Sequence, residues 1–161
     1  MRIGVVSDTH GQVQFAREAA EVLRPFEVEQ ILHCGDIGSA GVVEVFAAWP
    51  THYVLGNCDP ERGDLQASIK AAGQTFHGRF GQIELAGRRI AILHGDDAAR
   101  LRETIAGGQF DLVCYGHTHV AEHHQEGRTW VLNPGALYRA NPHRCAVVDL
   151  AAMEIQSLVV E

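Results

Sequence analysis

Five apolar runs in this sequence each stop at a glycine-bearing turn that carries side chains able to hold a metal. They are Asp8 and His10 in "SDTHG", Asp36 in "HCGDIG", Asn57 in "GNCD", His94 in "LHG", and His117 with His119 in "GHTH". Two aspartates, one asparagine and four histidines form a mixed nitrogen and oxygen donor set. Such a set suits Mn²⁺, Fe²⁺, Ni²⁺ or Zn²⁺ better than Ca²⁺ or Mg²⁺, which favour all-oxygen shells. Seven donors are too many for one ion and suit two, provided one carboxylate is shared. Paired ions about 3.5–4 Å apart are the arrangement used for in-line displacement at phosphorus. Two divalent cations outweigh the charges of Asp8 and Asp36 even with a hydroxide between them, so an anion would be attracted locally. Taken singly, each residue has an ordinary reading: Asn57 a turn residue, Cys58 a redox group, Asp59 a cap.

Positioning these turns requires strands whose carboxyl ends meet, which is where α/β sheets bind ligands. Residues 2–7, 28–34 and 52–55 read as strands alternating with helices over 12–24 and 41–49, a β-α-β-α-β opening with parallel strands and right-handed crossovers. Hairpins follow at 81–85/88–94, 120–125/128–133 and 143–150/154–161, with a helix over 98–106 and a strand over 111–116. A parallel half and then a mixed or antiparallel half predict two sheets packed face to face with helices outside. No linker or repeat interrupts residues 1–161, so one domain is expected.

The remaining histidines carry no motif. His33 is expected to be a hydrogen-bonded core residue. His123 and His124 lie on opposite faces of one strand, toward solvent or an interface. His52, His77 and His143 match nothing, and Asp96 and Asp97 begin the helix that follows them. A net charge of −7 argues against non-specific nucleic-acid binding. No apolar run nears the roughly 18 residues a membrane helix needs. Four cysteines without CxxC spacing predict reduced thiols and a cytoplasmic protein. The opening "MRIGVVSD" enters a strand at once, without a signal-like apolar region. Association into a homo-oligomer through the hairpins is left open. A dinucleotide site is excluded, because the first strand leads into "SDTHGQ" and not a GxGxxG turn.

The ordered set "SDTHG", "HCGDIG", "GNCD", "LHG" and "GHTH", followed by "NPGA", spans residues 7 to 136 and resembles the calcineurin-like metallophosphoesterases. More narrowly, it is similar to their small single-domain prokaryotic phosphodiesterase branch, to which the retromer scaffold subunit is also similar. The resemblance implies an α/β fold, a four-layer αββα sandwich of two mixed β-sheets flanked by helices. It implies one metal on Asp8, His10 and His119, a second on Asn57, His94 and His117, and Asp36 bridging both, with Mn²⁺ as the expected ion. A metal-bridging hydroxide would then attack a small phosphodiester substrate. Asn57 would be a neutral ligand and Asp59 a loop brace. Cys58 stands where many members carry a histidine that approaches the phosphate, and the branch with cysteine is the one associated with phosphodiesters. The alternatives are a phosphomonoesterase on the same site and a non-catalytic, retromer-like scaffold.

Overall fold

In the computed structural model, which describes residues 1–160, the strand β1 (Arg2–Val6) is buried along all but its first residue. Its side chains alternate between two apolar layers, as the two-residue period of a strand dictates. Ile3 and Val5 face one core and Val6 the other, while Gly4 lets Leu23 come down onto the strand. Parallel neighbours follow through crossover helices: α1 (Val13–Leu23), β2 (Gln30–His33), α2 (Ala40–Phe46), β3 (Thr51–Tyr53), α3 (Asp64–Ala71) and the short β4 (Thr75–Phe76). The second series is β5 (Phe80–Leu85), β6 (Arg88–Leu93), α4 (Ala98–Ala106), β7 (Leu112–Cys114), β8 (Glu122–Glu126) and β9 (Thr129–Asn133). The chain closes with β10 (His143–Asp149) and β11 (Glu154–Val160).

These strands form a six-stranded sheet ordered β11-β10-β1-β2-β3-β4 and a five-stranded sheet ordered β5-β6-β7-β9-β8, both mixed. Helices α1, α2 and α3 cover the outer face of the first sheet through Ala16, Leu23, Val43, Phe46, Leu65 and Ile69. Ile3, Val5, Leu32, Ile90, Ile92 and Leu132 fill the space between the sheets, and α4 closes the outer face of the second through Ile105. The result is the four-layer αββα sandwich.

The first sheet is mixed, as expected, because β10 crosses back to pair antiparallel with β1, Ile3 opposite Val148 and Val5 opposite Ala146. Helix α3 and strand β4 went unread, since only Leu65 and Ile69 anchor the helix and β4 is two residues long. Asp64 in its first turn and Lys70 in its last suit the helix dipole, and Gly73 leaves it with φ 69°. By contrast α4 spans 98–106 as read, with the Asp97 carboxylate accepting from the Arg100 N–H at 3.0 Å as its N-cap. The final predicted strand residue, Glu161, lies outside the described residues. Among the described residues no helix is long and apolar enough to cross a membrane.

Candidate metal centre

Five of the seven candidate donors sit on backbone that L-residues rarely adopt. Asp8 (φ 55°), His10 (45°), Asp36 (52°), His117 (67°) and His119 (61°) are all left-handed. Such conformations cost roughly 1–2 kcal/mol each and persist only where surrounding contacts enforce them. Here the loops enforce one another. The Asp8 N–H donates to the Gly35 carbonyl at 3.0 Å, that of His10 to Asp36 at 2.8 Å, and that of Gly116 to His94 at 2.9 Å. Glycine is required where loops touch. A Cβ on Gly56 would lie on the Asp36 carboxylate, and one on Gly116 would overlap Ser7 Oγ and approach Asp8 Oδ2 to 2.6 Å.

All seven side chains converge at the carboxyl ends of β1, β2, β3, β6 and β7. Asp8 Oδ1 lies 3.2 Å from His119 Nε2 and 3.8 Å from His10 Nε2. Asp36 Oδ2 lies 3.5 Å from His10 Nε2 on one side and 3.3 Å from His94 Nε2 on the other. Asn57 Oδ1 is 3.1 Å from both His94 Nε2 and His117 Nδ1. Donors bound at 2.0–2.2 Å to one ion stand about 3.0–3.6 Å apart, so these spacings suit coordination. Three overlapping donor groups, Asp8–His10–His119, His10–Asp36–Cys58 and Asp8–Asp36–His94, share Asp8, His10 and Asp36 between them, the pattern of a dinuclear site. Asp8 Oδ1 and His10 Nε2 are buried with no hydrogen-bond partner. Buried polar atoms left without a partner are unfavourable unless a cation joins them, so the residues present fit a metal.

Electrostatics and the supporting shell agree. Burial pushes Asp36 toward protonation, but hydrogen bonds from His94 and the Cys58 backbone N–H (2.9 Å) outweigh it and hold the carboxyl well below the usual range. Burial lowers the pKa of His94, while Asp36, the Cys34 carbonyl and Asp8 raise it more. His94 Nδ1 faces the Cys34 carbonyl at 2.8 Å and His119 Nδ1 the Arg139 carbonyl at 3.3 Å, contacts that turn each Nε2 toward the centre. Asp59 is buried and accepts three backbone N–H groups, from Ile37 (3.0 Å), Gly38 (2.9 Å) and Gly56 (3.0 Å), tying the Asp36 loop to the Asn57 loop. Cys58 is exposed, with its sulfur near His10 and Asp36; slight burial and the Asp36 charge raise its pKa.

The other histidines stay outside. His33 is fully buried, with Nε2 2.9 Å from Thr9 Oγ1. His52 and His77 stack on each other, His143 packs on Phe15, and His124 pairs with Glu126. His123 is exposed on the edge strand β8. Sequence reasoning missed three contributors. Asn133 Nδ2 donates to the Gly116 carbonyl at 2.9 Å and to Thr118 Oγ1 at 3.0 Å, locking the "GHTH" loop; the "NPGA" motif held that signal. Tyr138 lies against His10 with ring centroids 5.8 Å apart, and Arg139 acts through its carbonyl; neither type nor spacing marks them.

Residues 1–153 match the model of the calcineurin-like phosphoesterase superfamily domain. The chain is 30% identical over 166 residues to the phosphodiesterase MJ0936 of Methanocaldococcus jannaschii, covering 100% of both chains. It is 25% identical over 144 residues to the probable metallophosphoesterase YsnB of Bacillus subtilis, covering 85% of this chain and 75% of that one. The solved structure of an archaeal phosphodiesterase superposes with a TM-score of 0.91 at 30% identity, over 99% of this chain and 100% of that one. The chain therefore belongs to the calcineurin-like phosphoesterase superfamily, and is a hydrolase of the metallophosphoesterase type.

Proposed function

We propose that this calcineurin-like phosphoesterase hydrolyses small phosphodiesters at a dinuclear centre. One cation would be held by Asp8, His10 and His119, the other by Asn57, His94 and His117, and Asp36 would serve both. Two divalent ions held there, Mn²⁺ foremost, would supply a nucleophilic water at neutral pH and would neutralise charge on the phosphoryl oxygens. The observation that carries this is the position of Asp36 Oδ2, between His10 Nε2 at 3.5 Å and His94 Nε2 at 3.3 Å, as a shared carboxylate must be.

Each residue has a role in that reading. Asp36 stays ionised because hydrogen bonds hold its carboxyl low. Asn57 contributes an oxygen without adding negative charge. Asp59 is a positioning residue that fixes the spacing of the Asp36 and Asn57 loops. Cys58 presents a thiol to the substrate side and brings no positive charge. A dianionic monoester gains more from a cationic donor than a monoanionic diester does, so a thiol there favours diesters, most of all those with good leaving groups. The Methanocaldococcus relative, a phosphodiesterase, points in the same direction. All seven donor positions are filled, which supports catalysis over a scaffold role. Free cysteines, three of them buried, support a reducing cytoplasmic setting, and residues 1–161 are read as one domain.

The test is a titration of Mn²⁺ into metal-stripped protein with hydrolysis of an aryl phosphodiester as readout. Activity should rise to a plateau at two equivalents; saturation at one, with the second ion silent, would refute the dinuclear reading.

A further inference from the structure

Val120 is one of two large apolar side chains left exposed among the described residues, at 63%. It follows His119 directly, and both line a groove of about 640 Å³. Leu132 and Pro142 continue the apolar wall, and Arg144 on β10 lines the groove with them. Arg144 is half-buried, and its Nη1 donates to the neutral Ser157 Oγ at 3.3 Å; among the described residues it makes no ion pair. Glu122, the carboxylate that also lines the groove, accepts instead from the Tyr115 hydroxyl. A partly desolvated guanidinium without an ion-pair partner among the described residues is unfavourable. The groove is thus lined by a metal-centre histidine, an apolar wall, and a planar cation that makes no ion pair among the described residues and is able to take an anion in bidentate fashion.

We propose that this groove is a subsite for one ester arm of the substrate, and that Arg144 selects arms carrying a second anionic group, a carboxylate or phosphate. The arm lies along Val120 and Pro142, and its terminal anion meets the guanidinium. This rests on the phosphodiesterase reading and narrows its substrate class to diesters with a second negative charge. Arg144 acts in binding, so its contribution appears in KM far more than in kcat.

The test compares p-nitrophenyl carboxyalkyl, phosphonoalkyl and uncharged alkyl phosphates, matched in chain length, on the metal-loaded protein. The wild-type KM should be about tenfold lower for a charged arm than for the uncharged one, the scale of one charge-assisted contact. In Arg144→Gln that ratio should fall to about one, and Arg144→Lys should keep part of it; the better of the two charged arms identifies the anion. Independently of turnover, the Arg144 Nε–H resonance should shift when the charged esters are added and stay fixed with the uncharged one. Equal KM values in the wild type, a preference that survives in Arg144→Gln, or a silent Arg144 resonance would each overturn the proposal. If no diester is hydrolysed but the resonance shifts, the groove stands and the diesterase reading falls.

Discussion

Asp59→Asn should damage the metal centre without removing a single metal donor. The Asp59 carboxylate, 4% exposed, receives the N–H groups of Ile37 and Gly56 on Oδ2 and that of Gly38 on Oδ1. The amide keeps one oxygen, so two of these bonds survive without charge and the third becomes an N–H facing an NH₂. Charge-assisted hydrogen bonds contribute about 1.5–3 kcal/mol, neutral ones about 0.5–1.5, and a stranded buried donor costs about 1–3. Losing charge assistance twice and a whole bond once amounts to about 4 kcal/mol, or roughly 10 °C in Tm for a chain of this size. Because the bonds join the loops that bear Asp36 and Asn57, metal affinity should fall about 10- to 100-fold, as when outer partners of metal ligands are removed. Differential scanning calorimetry of the stripped protein and calorimetric Mn²⁺ titration read the two effects separately. A Tm within a degree or two of wild type would refute the brace. A lowered Tm with unchanged affinity would show that the brace holds the fold and not the metal centre.

Asp36→Asn should weaken both ions by at least about 10- to 100-fold and abolish diesterase activity if one carboxylate serves both, as proposed; retained dinuclear occupancy by elemental analysis would contradict that assignment. Chelation should leave the far-ultraviolet circular dichroism unchanged, because the three apolar clusters exist without metal. It should lower stability by the lost binding energy, about 2.7 kcal/mol per site at a hundredfold excess over Kd, and Tm with it; global unfolding would be the opposing result. His33 predicts acid lability. Burial, reinforced by the nearby His94 and His10, depresses it to about 3. The unfolded chain, with His33 near its ordinary 6.5, then binds the extra proton between these values. Stability from this group is therefore complete above about pH 6.5 and is lost on acidification toward about pH 3, at about 1.4 kcal/mol per pH unit. Denaturant melts of wild type and His33→Gln across that window should differ in slope by about one proton, and identical slopes would exclude the effect.

The ligand turns were legible because the chemistry lies in side chains at fixed places, strand ends marked by glycine. Asp8, His10, Asp36, Asn57, His94, His117 and His119 could each be picked out by type, and the structure brings them within reach of one another. What holds them was harder to read. Arg139 and Cys34 act through backbone carbonyls that any residue type could supply at the right place, while Asn133 acts through its side-chain amide. Helix α4 was legible to the residue because Asp97 caps it and Gly107–Gly108 ends it. Helix α3 was not, with two buried apolar residues in eight. The return of β10 to β1 depends on pairing across most of the chain, which no local pattern encodes. The five left-handed donors were likewise invisible, since strain at Asp and His appears only once neighbouring loops are in place.

The most direct test of a diester-preferring two-metal enzyme is the ratio of kcat/KM for an aryl phosphodiester to that for the matching aryl monoester, on Mn²⁺-reloaded wild type and Cys58→His. The wild type should favour the diester by tenfold or more on the reasoning for Cys58, and the imidazole should move the ratio toward the monoester. Equal or reversed preference in the wild type, or a ratio unmoved by Cys58→His, would contradict the account.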